Sequence, residues 1–236
     1  NPLLVFSTIK ALELIGSPLA VPKLISIAEK KTFKRAALEA LGVIADIEAL
    51  HCLVTGFRSE SENIRRIALK ALVTLESKQA DEKQHLIHQR IKEGYDDRDY
   101  TFLVSMVNHS DPTLKKSAIR ALGWVSEVRS VPILIPLLNE YDQDVVMALV
   151  AMGSLVLPEL AELIGRGIWE DEKTRQAVAT VWGKIADPEG SGILLDLIKD
   201  NAAPVRAAAA TALGRIRKKE TIAPLMGLLK DPHPDV

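Results

Sequence analysis

One short phrase recurs seven times along the chain. It reads "ALELI" at 11, "ALGVI" at 40, "ALVTL" at 71, "ALGWV" at 121, "AMGSL" at 151, "VWGKI" at 181 and "ALGRI" at 212. The steps between copies are 29, 31, 50, 30, 30 and 31 residues. A self-similar period of this length marks a stacked array, in which each unit buries its apolar face only against its neighbours. Residues adjacent in sequence should therefore be adjacent in space.

Each unit reads as two helices. In "APVRAAAATALGRI", Val205, Ala209, Ala212, Leu213 and Ile216 recur at three- and four-residue spacing, the stripe of a half-buried helix. A short turn follows, then "TIAPLMGLLKD", with Ile222, Leu225, Leu228 and Leu229 as its expected buried face. Pro224 sits early in that second helix, where proline is tolerated, as do Pro22, Pro132, Pro158 and Pro188 in the other units.

Two columns emerge when the units are superposed. The first holds Glu13, Gly42, Val73, Gly123, Gly153, Gly183 and Gly214. Glycine costs roughly 1 kcal/mol relative to alanine inside a helix. Its recurrence therefore predicts a close approach, expected between the two helices of one unit. Eight residues earlier lie Val5, Lys34, Arg65, Lys115, Val145, Arg175 and Arg206. The acids preceding several of these, Glu62, Asp111, Asp171 and Asp200, make inter-repeat pairing and capping the expected role of the basic column.

With "PVRAAAATALGRI" closing a first helix and "TIAPLMGLLKD" forming a second, the units resemble HEAT repeats, in particular the short bacterial type of phycobilisome lyase subunits. The resemblance implies an all-α fold, a right-handed α-solenoid (superhelix) of about seven two-helix repeats. The expected organisation is a single solenoid over 1–236, with repeats near 1–30, 31–60, 61–110, 111–140, 141–170, 171–200 and 201–230. It also implies that second helices line the concave side. The matching residues build the repeat and do not identify a function, since function lives in sites carried on folds.

The 50-residue step marks an insertion between 77 and 97, "SKQADEKQHLIHQRIKEGYDD". It predicts an extra polar helix at about 79–94, added to a repeat that supplies its own core. Asp81, His85 and His88 share one face of that helix. Metal ligation is the sharper reading of that triad, and a solvated face the plainer and preferred one. "YDDRD" at 95–99 lacks calcium-loop spacing and reads as a loop and helix cap.

Composition narrows the function. The chain carries 30 basic and 31 acidic residues. The first 118 residues hold 17 basic against 15 acidic, and the rest 13 against 16. A basic nucleic-acid face is therefore not expected. The lone Cys52 permits no intramolecular disulfide, which fits a reducing, cytoplasmic setting. No apolar run reaches 18 residues, so no spanning helix is expected. No catalytic constellation, phosphate-binding loop, paired metal motif or cofactor site is visible, and Trp124 and Trp182 fall inside the repeated phrase, as packing residues would. The chain lacks an initiator Met and ends on "DPHPDV", which matches "DNAAPV" at 200–205, so it reads as a fragment of a longer protein.

These features lead to a non-catalytic protein-interaction scaffold, with an enzyme subunit resembling bilin lyase as the alternative. An extended solenoid surface suits protein or peptide binding. Outward positions of the later second helices are Ile133, Pro136, Glu140, Glu159, Glu162, Arg166, Ile193, Asp196 and Asp200. This row mixes apolar and acidic groups, and it would suit a partner with a basic, partly apolar segment.

Overall fold

The structure is a computed structural model that describes residues 1–165 and 171–233. Among the described residues all regular structure is helical. The chain divides into two compact units, Asn1–Val125 and Ser126–Val236.

The first unit holds α1 (Pro2–Ile15), α2 (Val21–Ala28), α3 (Lys34–Ile44), α4 (Leu50–Phe57), α5 (Glu62–Ser77), α6 (Asp81–Lys92), α7 (Asp97–Val107) and α8 (Pro112–Trp124). The first helices of successive repeats, α1, α3, α5 and α8, lie side by side. Each second helix packs mainly on the first helix of the following repeat: α2 on α3, α4 on α5 and α7 on α8. The core between them is aliphatic, with Leu38, Leu41, Leu53, Leu69, Leu72 and Leu75 fully buried. Each such leucine contributes about 1.5–3 kcal/mol.

The second unit holds α9 (Val131–Leu134), α10 (Leu138–Ala151), α11 (Leu157–Gly165), α12 (Glu172–Ile185), α13 (Ser191–Leu197), α14 (Ala203–Ile216) and α15 (Ile222–Leu228). Again α10, α12 and α14 lie side by side, and α13 packs on α14. Val178, Trp182, Leu194, Val205 and Leu213 fill the core.

Local chemistry sets the helix ends. Asp111 and Asp171 accept hydrogen bonds from the main-chain N–H groups of Thr113 and Thr174, capping α8 and α12. Several first helices end on a residue in the left-handed region: Gly16, Ala45, Ala186 and Arg217, with φ between 55° and 67°. A 3₁₀ turn then leads into the second helix, and Asp46 and Asp187 cap two of these turns.

At Gly42 and Gly183 the recurrent glycine marks a close approach, but between different helices from those expected, whereas Gly153 and Gly214 have nothing within 4 Å of an added Cβ. A Cβ on Gly42 would lie 2.6 Å from the Cβ of Ala71, and one on Gly183 would lie 2.7 Å from the Cα of Ala212. The seam joins first helices of successive repeats, α3 to α5 and α12 to α14. At these two seams the glycine of one repeated phrase receives the alanine that opens the next.

One junction departs from the pattern. The second helix expected near 131–140 breaks at Pro136 into the single turn α9 and a 3₁₀ segment, Ile135–Leu137. It then runs into α10 without a loop, through a kink at Tyr141 (φ −129°, ψ 42°).

Candidate functional site

Three arginines of the basic column form ion pairs within their own repeat, where pairing between repeats was expected. Arg175 donates from Nε and Nη2 to the two carboxylate oxygens of Asp200 at 2.7 and 3.0 Å. Arg206 makes the same bidentate contact with Asp231, at 2.7 and 2.8 Å. It also donates from Nη1 to the carbonyl oxygens of Asp200 and Asn201 at 2.8 and 3.0 Å. Each Asp lies 25 residues after its Arg, just beyond the second helix of the same repeat. Burial is the largest influence on Asp200 and disfavours its charged form, yet the Arg175 hydrogen bonds, the Ala202 N–H and the charges of Arg175 and Arg206 together hold the carboxyl below the usual range. Asp231 is held down chiefly by the Arg206 hydrogen bonds.

In the first unit Arg65 reaches Asp99 at 2.7 Å, in the first turn of α7, and its guanidinium covers the Phe102 ring at 4.1 Å. Burial pushes the Asp99 carboxyl up and the Arg65 guanidinium down, each against the pull of the other. Of the four acids expected beside the column, Asp200 pairs with Arg175 and the others cap helices or pair elsewhere. Glu62 pairs with Arg66, Asp111 with Lys70 at 2.6 Å, and Asp171 caps α12. The Lys70 contact takes the Asp111 carboxyl down to about 2.

The inserted helix α6 is anchored rather than appended. Ile87 and Ile91 are 0% and 1% exposed. His88 stacks on Trp124 with ring centroids 5.1 Å apart, and its Nε2 lies 3.3 Å from the buried Glu76 carboxylate. That carboxylate also receives Arg120 from α8. The sequence expectation of an independent add-on at 79–94 is therefore corrected: α6 fills part of the core beside α5 and α8. Asp81 and His85 are exposed while His88 turns inward. Asp96 caps α7 by accepting from the N–H groups of Arg98 and Asp99. Among the described residues, no three His, Cys, Asp or Glu side chains are grouped to hold a metal ion. Cys52 is half-buried, and burial pushes its thiol up.

On the second-helix face of the second unit, Pro136, Glu140, Glu162 and Asp196 are exposed, and Ile133, Glu159 and Ile193 are half-buried. Arg166 lies outside the described residues. Acids of this row are engaged within the fold. Asp200 is taken up by Arg175 and by the N–H of Ala202, and Glu140 accepts from the Tyr141 hydroxyl.

Three clefts lie elsewhere, between neighbouring first helices. In the second unit a groove of about 590 Å³ separates α10 from α12 and includes Asn139, Asp142, Met147, Lys173, Gln176 and Lys184 in its lining. A second, of about 310 Å³, separates α12 from α14 and includes Arg215. Sequence reasoning placed attention on the second helices and missed this face. Its signal was Lys173, Ala177, Thr180 and Lys184, a stripe on the side of α12 away from the buried Val178 and Trp182.

A family model described as HEAT repeats matches residues 157–236. No curated protein matches the chain. Among solved structures, an engineered protein covers 100% of this chain and 72% of its own at 18% identity, with a TM-score of 0.60. A designed armadillo repeat protein in complex with peptide (KR)4 covers 83% of this chain and 98% of its own at 17% identity, with a TM-score of 0.50. The CpcE–CpcF complex of phycocyanin lyase from Nostoc sp. PCC7120 covers 97% of this chain and 93% of its own at 17% identity, with a TM-score of 0.36. Among the described residues no single helix is long and apolar enough to cross a membrane. The HEAT-repeat match is confined to residues 157–236, and the likeness to solved structures shows the fold, an α-solenoid of repeated helix pairs.

Proposed function

We propose that the chain is a non-catalytic scaffold whose second-helix face, concave in the architecture the repeats imply, holds a protein or peptide with a basic, partly apolar segment. The supporting observation is the exposure of Pro136, Glu162 and Asp196, together with the half-exposed Ile133, Glu159 and Ile193. These residues sit at outward positions that leave an apolar and acidic surface beside the stacked core. Their charge would chiefly set encounter rate and partner choice.

The test is capture from source-cell lysate with the whole chain as bait, beside a Glu159→Lys, Glu162→Lys, Asp196→Lys variant whose helicity is checked by circular dichroism. A defined partner retained by the first bait and lost by the folded variant is the expected result. Identical capture by both baits would remove the acidic face from consideration.

A further inference from the structure

The grooves between the first helices of the second unit have basic linings, unlike the mainly acidic second-helix row. At the Tyr141 kink the last turn of one repeat passes straight into the first helix of the next, and the groove between α10 and α12 opens beside this junction. Its wall exposes Met147, which is 54% accessible, at a position facing solvent rather than core. Methionine is adaptable and suits an apolar anchor of imprecise shape. The amides of Asn139, Gln143 and Gln176 line the same groove and can both donate to and accept from an extended main chain.

Charge identifies the occupant. Lys173 and Lys184 line the first groove, and Lys184 with Arg215 lines the second. None of the three has an ion-pair partner within 4 Å among the described residues, whereas Arg175 and Arg206, on the same two helices, are fully engaged with aspartates. Asp142 is the one carboxylate among the residues lining the two grooves. Lys173 and Lys184 stand 11 positions apart on α12, about 16 Å at the helical rise of 1.5 Å per residue. An extended strand covers that span in about five residues.

We propose that this first-helix face docks an acidic peptide segment, with carboxylates about five residues apart on Lys173 and Lys184 and an apolar side chain between them on Met147. The site is separate from the second-helix face and opposite to it in sign, so either can fail without the other.

The test is fluorescence anisotropy on the whole chain with a labelled eight-residue peptide. The peptide carries glutamates at its second and seventh positions around central leucines. A lysine counterpart and a single-stranded oligonucleotide of equal negative charge serve as comparison probes. Saturable binding of the acidic peptide that weakens with added salt is expected. Lys173→Glu with Lys184→Glu should lower affinity by about tenfold or more. Met147→Asp should lower it as well; all three side chains are exposed, so folding is retained. The proposal is overturned by absence of saturation up to about 1 mM peptide, by equal binding of the lysine peptide, by indifference to the charge reversal, or by tighter binding of the oligonucleotide.

Discussion

Gly183 on α12 and Ala212 on α14 meet so closely that a side chain on the glycine would overlap the alanine backbone, with 2.7 Å between the added Cβ and the Cα of Ala212. Backbone cannot swing aside as a flexible side chain can, so Gly183→Ala must push two helices apart. Overpacking of this kind costs about 1–3 kcal/mol. Gly214 holds the same column position and has nothing within 4 Å of an added Cβ. Gly214→Ala should instead stabilise the chain by up to about 1 kcal/mol through helix propensity. Urea melts of the two variants should therefore move in opposite directions. A stabilised Gly183→Ala would show that the seam is not tight.

The Arg175–Asp200 pair spans one repeat, from the start of its first helix to the end of its second. Its side chains are 18% and 10% exposed, so either charge is poorly solvated when left alone. A charge-assisted hydrogen bond contributes about 1.5–3 kcal/mol. Arg175→Ala and Asp200→Ala should each destabilise by about that much, and the double variant by clearly less than their sum. A double-mutant cycle in urea reads the coupling directly. Additive losses would mean that the two side chains act independently.

The anchoring of α6 makes the insertion costly to remove. Ile87→Ala opens a cavity among α5, α6 and α8 and should cost about 2–5 kcal/mol. Deleting 79–96 removes Ile87, Ile91 and the His88 stack on Trp124 together, and should lower the melting temperature and broaden the transition. Thermal melts by circular dichroism distinguish this from the add-on expectation, under which the deletion would melt unchanged.

The repeat made the helices legible. A stripe at three- and four-residue spacing placed α14, the repeated phrase placed α12, and the insertion helix expected at 79–94 appears at Asp81–Lys92. The partners of the columns were harder to read. The basic column suggested neighbouring acids, but Arg175 and Arg206 reach aspartates 25 residues later because the second helix folds its far end back to the start of the first. In α6 the pair Ile87 and Ile91 was visible at i and i+4, yet the polar composition around it hid its burial. The first-helix groove was the least legible feature. It lies beside the kink at Tyr141, and its marks in the sequence were Pro136 and the polar stripe of Lys173, Thr180 and Lys184 on α12.

Acid should loosen the stack at its ion pairs. The Asp111 carboxyl is held at about 2 by Lys70, below its unfolded value of about 3.9. A depressed folded value means stabilisation that is complete above the unfolded value and lost as pH falls through the folded one. The loss therefore falls between about pH 4 and pH 2. Asp200 and Asp231 are lowered as well and add to it, while the raised Asp99 opposes it. Urea midpoints at pH 7, 4 and 2.5 should drop most in the last interval. In Asp111→Asn that drop should be smaller, and an unchanged drop would assign it to other groups.

The left-handed residues that end the first helices offer a route to a more stable chain. Ala186 and Ala45 hold φ of 56° and 55°, where a Cβ crowds the following carbonyl oxygen at roughly 1–2 kcal/mol per residue. Their N–H groups close the helices on the carbonyls of Trp182 and Leu41, so the conformation is fixed by the cap and not by the side chain. Glycine adopts it without that crowding but is freer in the unfolded chain, which offsets part of the gain. Ala186→Gly should therefore stabilise by about 0.5–1 kcal/mol, read as a higher urea midpoint at unchanged slope. Ala209→Gly, in the middle of α14 with φ in the ordinary helical range, should destabilise by about 1 kcal/mol. If both substitutions destabilise alike, the strain assigned to the cap is absent.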